Sequence, residues 1–279
     1  MKIAISGASG FIGSHLRKRF ENCTVLNRDD SEEDILKKLE DVDTVINLAG
    51  APVVQKWDEE YKKILISSRI DTTKKLVSAI DKSEVKQFIS ASAIGVYPND
   101  KCCDETCKEV AKDFLSDLVQ EWEREAKKCE KTTAILRFGV VLGTDGGAFG
   151  TMLPTFKLGL GGTIGNGSMM TSWIDIEDVM RIYEFIMQKR LKGVFNAVSP
   201  GPITNFAYTK AIGKAIFRPT VFPLPLVVAK MLFGEGVIIL SGSKEIYPKR
   251  LLDSGFKFKY PDINSSLAHL LKKAKEKEL

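Results

Sequence analysis

The first half of the chain alternates short apolar runs with longer segments in which apolar residues recur every three or four positions. Short apolar runs are typical of buried parallel strands, and the three-and-four spacing is typical of amphipathic helices. We therefore predict strands at 2–6, 23–27, 43–50, 87–93 and 133–143, and helices from Phe11, from Ser31, over 60–80 and over 113–129. This alternation predicts an α/β fold with a Rossmann-type, doubly wound parallel sheet.

Three glycines, Gly7, Gly10 and Gly13, lie between the first predicted strand and the first predicted helix, in ISGASGFIGSHL. A strand that turns directly into a helix directs the helix's free N–H groups and positive dipole end at the turn, which favours an anion. Gly7 permits the tight bend, Gly10 lets a pyrophosphate approach the backbone, and Gly13 lets helix and strand pack closely. The sequence therefore predicts a dinucleotide phosphate site in this first loop.

Beyond residue 144 the pattern loosens into glycine-rich stretches, short elements, a proline-containing segment at 219–225 and a terminal helix. We predict a dinucleotide-binding Rossmann domain over 1–150 and a smaller C-terminal portion over 151–279, which forms the substrate cleft and returns some elements to the first domain. The glycines of 159–167 follow no predicted strand, so they predict a loop over that cleft rather than a second dinucleotide loop.

Composition narrows the class of protein. Of the 279 residues, 44% are hydrophobic and 28% charged, and the net charge of +5 is mild, so an ordinary globular chain without a nucleic-acid partner is predicted. The longest apolar stretch, 224–240, is broken by Pro225, Lys230 and Glu235, so no membrane span is predicted. Five cysteines without a secretory signal predict reduced thiols in a cytoplasmic protein, and the CCDETC stretch lacks the spacing of a metal site.

Several segments occur in the order seen in extended short-chain dehydrogenases/reductases, which the chain resembles over essentially its whole length. They are ISGASGFIG (5–13), INLAG (46–50), ISASAIGVY (89–97), LRFGVVLG (136–143) and SWIDIEDV (172–179). Further segments resemble the atypical branch of nucleoside-diphosphate-sugar epimerases: KWDEEYKKILISSRIDTT (56–73), GLGGTIGNG (159–167) and PKRLLDSGFKFKYPD (248–262).

The resemblance implies a Rossmann fold that binds NADP(H), with a substrate cleft made largely by the C-terminal part. The residues it assigns to the cofactor are Gly7, Ser9, Gly10, Phe11, Ile12 and Gly13 in the phosphate loop, Leu48, Ala49 and Gly50 on the adenine and ribose side, and Arg69, Ser90, Ala91 and Arg137. Ser92 falls at the superfamily's catalytic Ser or Thr, and Tyr97 at a tyrosine that follows the same strand. Alternatives remain a surface helix position for Arg69 and a strand-end cap for Ser92.

The end of the second predicted strand, LNRDD, bears on the choice of cofactor. NAD-specific relatives end this strand in an acid that binds both ribose hydroxyls and repels a 2′-phosphate. Here Asn27 and Arg28 occupy the position, and arginine offers a planar donor fork that suits phosphate. NADP(H) is therefore predicted, although Asp29 and Asp30 follow directly and leave a ribose contact open.

The chain departs from the superfamily at its proton relay. A Tyr-x-x-x-Lys pair on the helix after the fourth strand places both side chains on one face, where the lysine charge lowers the tyrosine pKa. Here the two positions fall near Leu115 and Val119. A literal match, Tyr97 to Lys101, spans the turn residues Pro-Asn-Asp, so we interpret its spacing as coincidence.

Two classes of function remain open. One is an NADP-dependent epimerase or reductase acting on a small polar carbonyl compound such as a nucleotide sugar; the other is a cofactor-binding sensor with little or no turnover. Because ligands of parallel sheets bind outside the carboxyl ends of the strands, the cleft is expected to be lined by Ser92, Tyr97, Arg137, Trp173 and Asp175, with core packing as the alternative for Trp173.

Overall fold

A six-stranded parallel sheet forms the centre of the computed structural model, which describes residues 1–238 and 242–278. The strand order is β2-β1-β3-β4-β6-β10. These strands are β1 (Ile3–Ser6), β2 (Cys23–Leu26), β3 (Thr44–Asn47), β4 (Gln87–Ala93), β6 (Thr132–Phe138) and β10 (Gly193–Ala197). The chain leaves β1 toward β2 and returns on its other side as β3, so the switch point of the sheet lies between β1 and β3.

Helices cover both faces of the sheet because successive side chains of each strand point to opposite sides. Ile3 and Ile5 pack in one core cluster with Leu16, whereas Ala4 packs in a second cluster with Leu76. The helices before residue 130 are α1 (Phe11–Arg19), α2 (Glu32–Lys38), α3 (Glu59–Ser67), α4 (Ile70–Asp81) and α5 (Phe114–Ala126). The predicted doubly wound α/β fold is confirmed.

The remaining elements follow or flank the sheet. The helices are α6 (Gly147–Lys157), α7 (Ile176–Lys189), α8 (Asn205–Ile216), α9 (Leu226–Phe233), α10 (Lys249–Asp253) and α11 (Ile263–Glu278). Short strands pair outside the sheet: β5 (Cys102–Cys103) with β12 (Glu245–Ile246), β7 (Val140–Gly143) with β9 (Trp173–Asp175), and β8 (Met170–Thr171) with β11 (Ile203–Thr204). One turn of 3₁₀ helix, Ile94–Val96, follows β4.

Two predicted elements are each divided in the structure. The single helix expected over 60–80 is two helices, α3 and α4, because the Ser68 hydroxyl accepts the Ala51 N–H and Arg69 turns back toward the same segment. The strand expected over 133–143 is two strands separated by Gly139, where a Cβ would lie 2.5 Å from the Ser172 carbonyl oxygen. After this close approach the chain leaves the main sheet and pairs with β9.

The glycine-rich segment 159–167 has no helix or strand of its own and packs on the proline-containing segment. The N–H of Gly165 donates to the Leu224 carbonyl oxygen at 2.9 Å, and the N–H of Leu224 donates to the Thr163 carbonyl oxygen at 2.7 Å. Of the apolar stretch 224–240, residues 239 and 240 lie outside the described part. No helix of the described part is both long and apolar enough to cross a bilayer.

Candidate functional site

The loop between β1 and α1 has two closed glycine positions and one open one. Gly7 has φ +78°, and a Cβ there would lie 2.6 Å from the backbone carbon of Leu48; a Cβ on Gly13 would lie 2.2 Å from the Gly7 carbonyl oxygen. A Cβ on Gly10 would meet only that same oxygen, at 3.3 Å. The chain's own packing thus requires glycine at positions 7 and 13. At Gly10 the chain does not fill the position of a side chain, so the backbone there is open to a ligand.

The start of α1 has no side-chain cap, whereas the starts of α2, α3 and α5 do. Gly10 supplies no side-chain hydrogen bond and the first turn carries no acid, whereas Ser31, Asp58 and Asp113 cap α2, α3 and α5. At Ser31 the cap is a capping box, in which the Ser31 hydroxyl accepts the Asp34 N–H and the Asp34 carboxylate accepts the Ser31 N–H. Since the first N–H groups of a helix need partners, an external anion fits the uncapped start of α1.

The remaining residues of the phosphate loop differ in exposure, so that some can contact a ligand and others pack within the chain. Ser9 and Gly10 are exposed, and Phe11 and Ile12 are half-buried. The Phe11 ring lies under the loop after β7, where a Cβ on Gly143 would come within 2.4 Å of it. The loop after β7 therefore forms one side of the candidate site.

At the carboxyl end of β2, Asn27 and Arg28 are exposed, and the Asp30 side chain that follows is hydrogen-bonded within the loop. The Asp30 carboxylate accepts the Asn27 N–H at 2.7 Å and the Lys38 ammonium at 2.5 Å. Burial raises the pKa of Asp30, but the hydrogen bonds from Lys38 and Asn27 lower it by more, so the pKa lies below its usual value. Asp30 is thus committed within the loop, while the Arg28 guanidinium has no partner among the described residues.

Arg69, predicted from the SSR stretch, is a buried cation without a carboxylate partner in the described part of the chain. It is 9% exposed; its guanidinium donates to the carbonyl oxygens of Ala51 at 2.9 Å and Leu65 at 3.3 Å. A Cβ on Gly50 would touch the guanidinium at 3.0 Å. Burial lowers the pKa of Arg69 to about 10. Burying an unpaired charge is costly, so this position, behind the Leu48–Gly50 loop, fits an incoming negative charge.

Asn47, which the sequence did not single out, fixes that loop. Its amide donates to the Thr73 hydroxyl at 2.9 Å, and its carbonyl oxygen accepts the Ala49 N–H at 3.2 Å. The Trp122 indole N–H donates to the same Thr73 hydroxyl at 3.0 Å. Because the three side chains belong to β3, α4 and α5, this buried network holds the loop against both helices.

Ser92, Tyr97 and Arg137 lie together, joined by two residues that the sequence did not single out, Glu123 and Asn196. The Glu123 carboxylate accepts the Ser92 hydroxyl at 2.8 Å and two Arg137 N–H groups at 2.6 and 2.8 Å. Arg137 also donates to the Tyr97 hydroxyl at 2.8 Å, and that hydroxyl donates to the Asn196 amide oxygen at 2.9 Å. These five side chains, called the Tyr97 network below, form one polar network beside the ends of β4 and β6, in which all but the partly exposed Arg137 are buried.

The electrostatics of this network centre on the Glu123–Arg137 ion pair. Burial raises the pKa of Glu123, but the Arg137 hydrogen bonds and charge outweigh it, so the net pKa lies below its usual value. Burial raises the pKa of Tyr97, and the adjacent Arg137 charge opposes that rise without cancelling it. Tyr97 is 1% exposed and its ring lies 4.9 Å from the guanidinium carbon. Tyr97 thus has an arginine as its cationic neighbour.

Of the other residues considered for the relay, Lys101 lies at the surface, and Leu115 and Val119 pack in the apolar cluster that includes Tyr97. Lys101 is exposed, and its ammonium pairs with Glu109 at the surface. Leu115 packs on Gly95, where a Cβ would come within 2.7 Å of it, and Val119 belongs to an apolar cluster.

Four further predicted residues are buried. Ser90 and Ala91 lie within β4, where the Ser90 hydroxyl donates to the Ala91 carbonyl oxygen at 3.2 Å. Trp173 packs in the core and donates to the Gly201 carbonyl oxygen at 2.9 Å. The Asp175 carboxylate, which was also expected to line the cleft, is fully buried at the start of α7 and accepts hydrogen bonds from α11. Trp173 and Asp175 therefore do not join the Tyr97 network. Within residues 1–238 and 242–278, no group of three or more His, Cys, Asp or Glu side chains is placed to hold a metal ion.

The fold and the phosphate loop define a dinucleotide-binding protein of the Rossmann class. The family model described as the NAD dependent epimerase/dehydratase family matches residues 3–198, and a domain of unknown function, DUF1731, matches residues 224–270. The chain belongs to the NAD dependent epimerase/dehydratase family.

Similar proteins cover almost the whole chain. An epimerase family protein SDR39U1 homolog, chloroplastic, of Arabidopsis thaliana is 33% identical over 97% of this chain and 87% of its own length. The crystal structure of human epimerase family protein SDR39U1 (isoform 2) with NADPH is 30% identical, covers 98% of this chain and 99% of that chain, and has a TM-score of 0.91. A nucleoside-diphosphate sugar epimerase from Corynebacterium glutamicum is 26% identical over 100% of this chain and 61% of that chain, with a TM-score of 0.77.

Proposed function

We propose that this protein binds NADP(H) with the pyrophosphate over Gly7, Gly10 and Gly13. The observation that carries the proposal is the open space at Gly10, at the uncapped start of α1, between two glycines whose positions are closed by the chain itself. The family's description as NAD dependent supports it, as does the NADPH in the human SDR39U1 structure.

At the adenosine end, Arg28 would pair with the 2′-phosphate, with Asn27 beside it. The guanidinium is exposed and has no partner in the described part, whereas Asp30 is committed to Lys38 and to the backbone. An engaged carboxylate neither competes for the ribose nor repels a phosphate as strongly as a free one. The Leu48–Gly50 loop would line the adenine and ribose, with the Arg69 charge behind it.

For the reaction, we propose reduction or epimerisation of a small polar carbonyl compound such as a nucleotide sugar. NADPH, when bound, supplies hydride chemistry at its nicotinamide ring. Tyr97 would transfer the proton, with the Arg137 charge taking the place of the relay lysine, because Arg137 already donates to the phenol oxygen. Ser92 would hold Glu123, and Glu123 would hold Arg137. Residues 1–150 would carry the cofactor and 151–279 most of the substrate cleft.

A second function is favoured by one specific observation. The hydroxyls of Ser92 and Tyr97 are both buried and both already hydrogen-bonded within the chain. Hydroxyls whose hydrogen bonds are all made within the chain are typical of a structural network. A cofactor-binding sensor with little turnover requires such a network and no proton transfer to a substrate. The two functions share the cofactor site and differ in whether Tyr97 exchanges a proton with a substrate.

Titration with NADPH and NADH, followed by fluorescence, tests the cofactor site. Gly10→Val should reduce NADPH affinity at least tenfold, because its branched side chain would occupy the space above the loop, while the unliganded variant keeps its fold by circular dichroism. A folded variant with wild-type affinity would remove the site assignment. Mass spectrometry of small molecules released from the purified protein, followed by NADPH oxidation assays on the compounds found, separates an enzyme from a sensor.

A further inference from the structure

The CCDETC stretch, which the proposed function does not use, places two thiols in contact. The sulfur atoms of Cys103 and Cys107 are 2.8 Å apart, and both residues are free cysteines. This distance is shorter than the usual separation of two thiols that merely pack together. Cys102, next in the strand, is exposed, whereas Cys103 is buried, as expected for neighbours that face opposite sides of a strand.

The local backbone brings these two sulfurs together. The Cys107 N–H donates to the Asp104 carbonyl oxygen at 3.1 Å, which closes a four-residue turn directly after β5. The Asp104 carboxylate accepts the Thr106 N–H at 2.7 Å and so fixes the inside of the turn. On the other side, β5 pairs with β12, so the strand that carries Cys103 is held as well.

Small molecules can reach this pair. A surface cavity of about 340 Å³ is lined by Cys102, Cys103, Asp104, Thr106, Cys107 and Tyr247. Cys107 is half-buried and Cys103 is almost fully buried, so an external reagent meets Cys107 first.

We propose that Cys103 and Cys107 are an oxidisable thiol pair that closes to an intramolecular disulfide with a low-molecular-weight disulfide as the oxidant. The Cys107 thiolate attacks one sulfur of the oxidant, forms a mixed disulfide and expels one thiolate. The Cys103 thiolate then attacks the Cys107 sulfur and expels the second thiolate. The two protons lost by the cysteines pass through solvent to the two expelled thiolates, and two electrons pass from the cysteines to the oxidant, which leaves as two thiols.

The surroundings of Cys103 favour the disulfide over the reduced thiol pair once the bond has formed. Burial raises the pKa of the Cys103 thiol, so the reduced pair gains little from thiolate formation. A dithiol whose thiolate is not stabilised forms a disulfide that is harder to reduce.

The turn that carries the two cysteines also contacts the Tyr97 network, so oxidation of the pair can affect that network. Between the two cysteines, the Glu105 carboxylate accepts the Asn196 N–H at 2.8 Å and the Arg250 N–H at 3.2 Å. The Asn196 amide oxygen in turn accepts the Tyr97 hydroxyl. A disulfide across Glu105 would therefore fix the residue that holds Asn196 in place.

Alkylation and peptide mass mapping of the full chain test the proposal. Trypsin cleavage after Lys101 and Lys108 releases a peptide that contains Cys102, Cys103 and Cys107. The reduced protein should give this peptide with all three cysteines alkylated. After incubation with excess oxidised glutathione at about pH 8.5, near the ordinary thiol pKa, it should carry one alkyl group, on Cys102, and have lost two hydrogen atoms.

Two variants decide which cysteines react. Cys102→Ser should still form the bond, whereas Cys107→Ser should give a peptide without an internal disulfide. Full alkylation of the wild-type peptide after oxidation, a stable glutathione adduct on Cys107, or loss of the bond in Cys102→Ser would each overturn the proposal. Circular dichroism of both variants shows that each is folded, and the alkylation of Cys23 and Cys129 before and after oxidation shows whether the change is confined to the pair.

Discussion

Replacing Arg69 with methionine should make the unliganded protein no less stable and at the same time weaken its binding of NADPH. Methionine keeps a long apolar stem but removes the charge. Burial lowers the pKa of Arg69 from its ordinary value to about 10. A folded-state pKa below the unfolded value means that the charged form opposes folding at every pH below about 10.

The size of the effect follows from that shift. At 1.36 kcal/mol per pKa unit, it corresponds to about 3 kcal/mol of unfavourable burial. Against it stand the hydrogen bonds to the carbonyl oxygens of Ala51 and Leu65, worth about 1 kcal/mol each. Arg69→Met should therefore leave the free energy of unfolding between unchanged and about 2 kcal/mol higher.

Binding should change in the opposite direction. If a cofactor phosphate or ribose meets the guanidinium, its loss removes a charge-assisted hydrogen bond worth about 1.5–3 kcal/mol, or roughly ten- to a hundredfold in affinity. Urea unfolding without cofactor and fluorescence titration with NADPH measure the two quantities, and Arg69→Lys, which keeps the charge without the planar fork, is the matched control. A variant that unfolds more easily and binds NADPH as tightly as the wild type would show that Arg69 is only structural.

Three further changes follow from the same geometry. Arg28→Ala should weaken NADPH roughly ten- to a hundredfold with little effect on NADH, because only NADPH has a 2′-phosphate; equal losses for both would contradict the assignment. Glu123→Gln leaves the Arg137 charge without its carboxylate partner, so urea unfolding near pH 7 should show a free energy of unfolding lower by about 3–5 kcal/mol. Because the folded-state pKa of Glu123 is lowered, the stability that its carboxylate contributes is present above its ordinary pKa. The difference in free energy of unfolding between wild type and variant should therefore shrink as the pH falls through the folded-state pKa. Lys101→Ala should leave turnover nearly unchanged once a substrate is known, because its ammonium pairs with Glu109 at the surface, whereas Tyr97→Phe should lower turnover; equal, large losses would restore the Tyr–Lys pair.

The sheet and the phosphate loop could be predicted because their physics is local. A buried parallel strand must be apolar over a few consecutive residues, and the strand, turn and helix around Gly7, Gly10 and Gly13 lie within one short segment. The divisions at Arg69 and Gly139 could not be found in the same way. Each depends on a distant segment, Ala51 in one case and Ser172 in the other, that is invisible to a local period.

The Tyr97 network shows the same limit more sharply. Its residues belong to separate elements, and Tyr97 and Asn196 are 99 positions apart. Residue types alone suggested that Ser92, Tyr97 and Arg137 approach one another, since all three follow or end neighbouring strands. They could not suggest that Glu123 and Asn196 satisfy all three, because an acid in an amphipathic helix and an asparagine in a strand carry no signal of their own.

The position of Glu123 explains what became of the relay helix. Leu115, Val119 and Glu123 are spaced four apart, so they lie along one face of α5. The first two fill that face with apolar packing on Gly95 and its neighbours, which removes any side chain that could carry a proton there. One turn later the same face presents a carboxylate to Ser92 and Arg137. The face on which the family resemblance implies a tyrosine and a lysine thus holds an arginine in place here, which is why we propose Tyr97, the residue that this arginine contacts, as the group that transfers the proton.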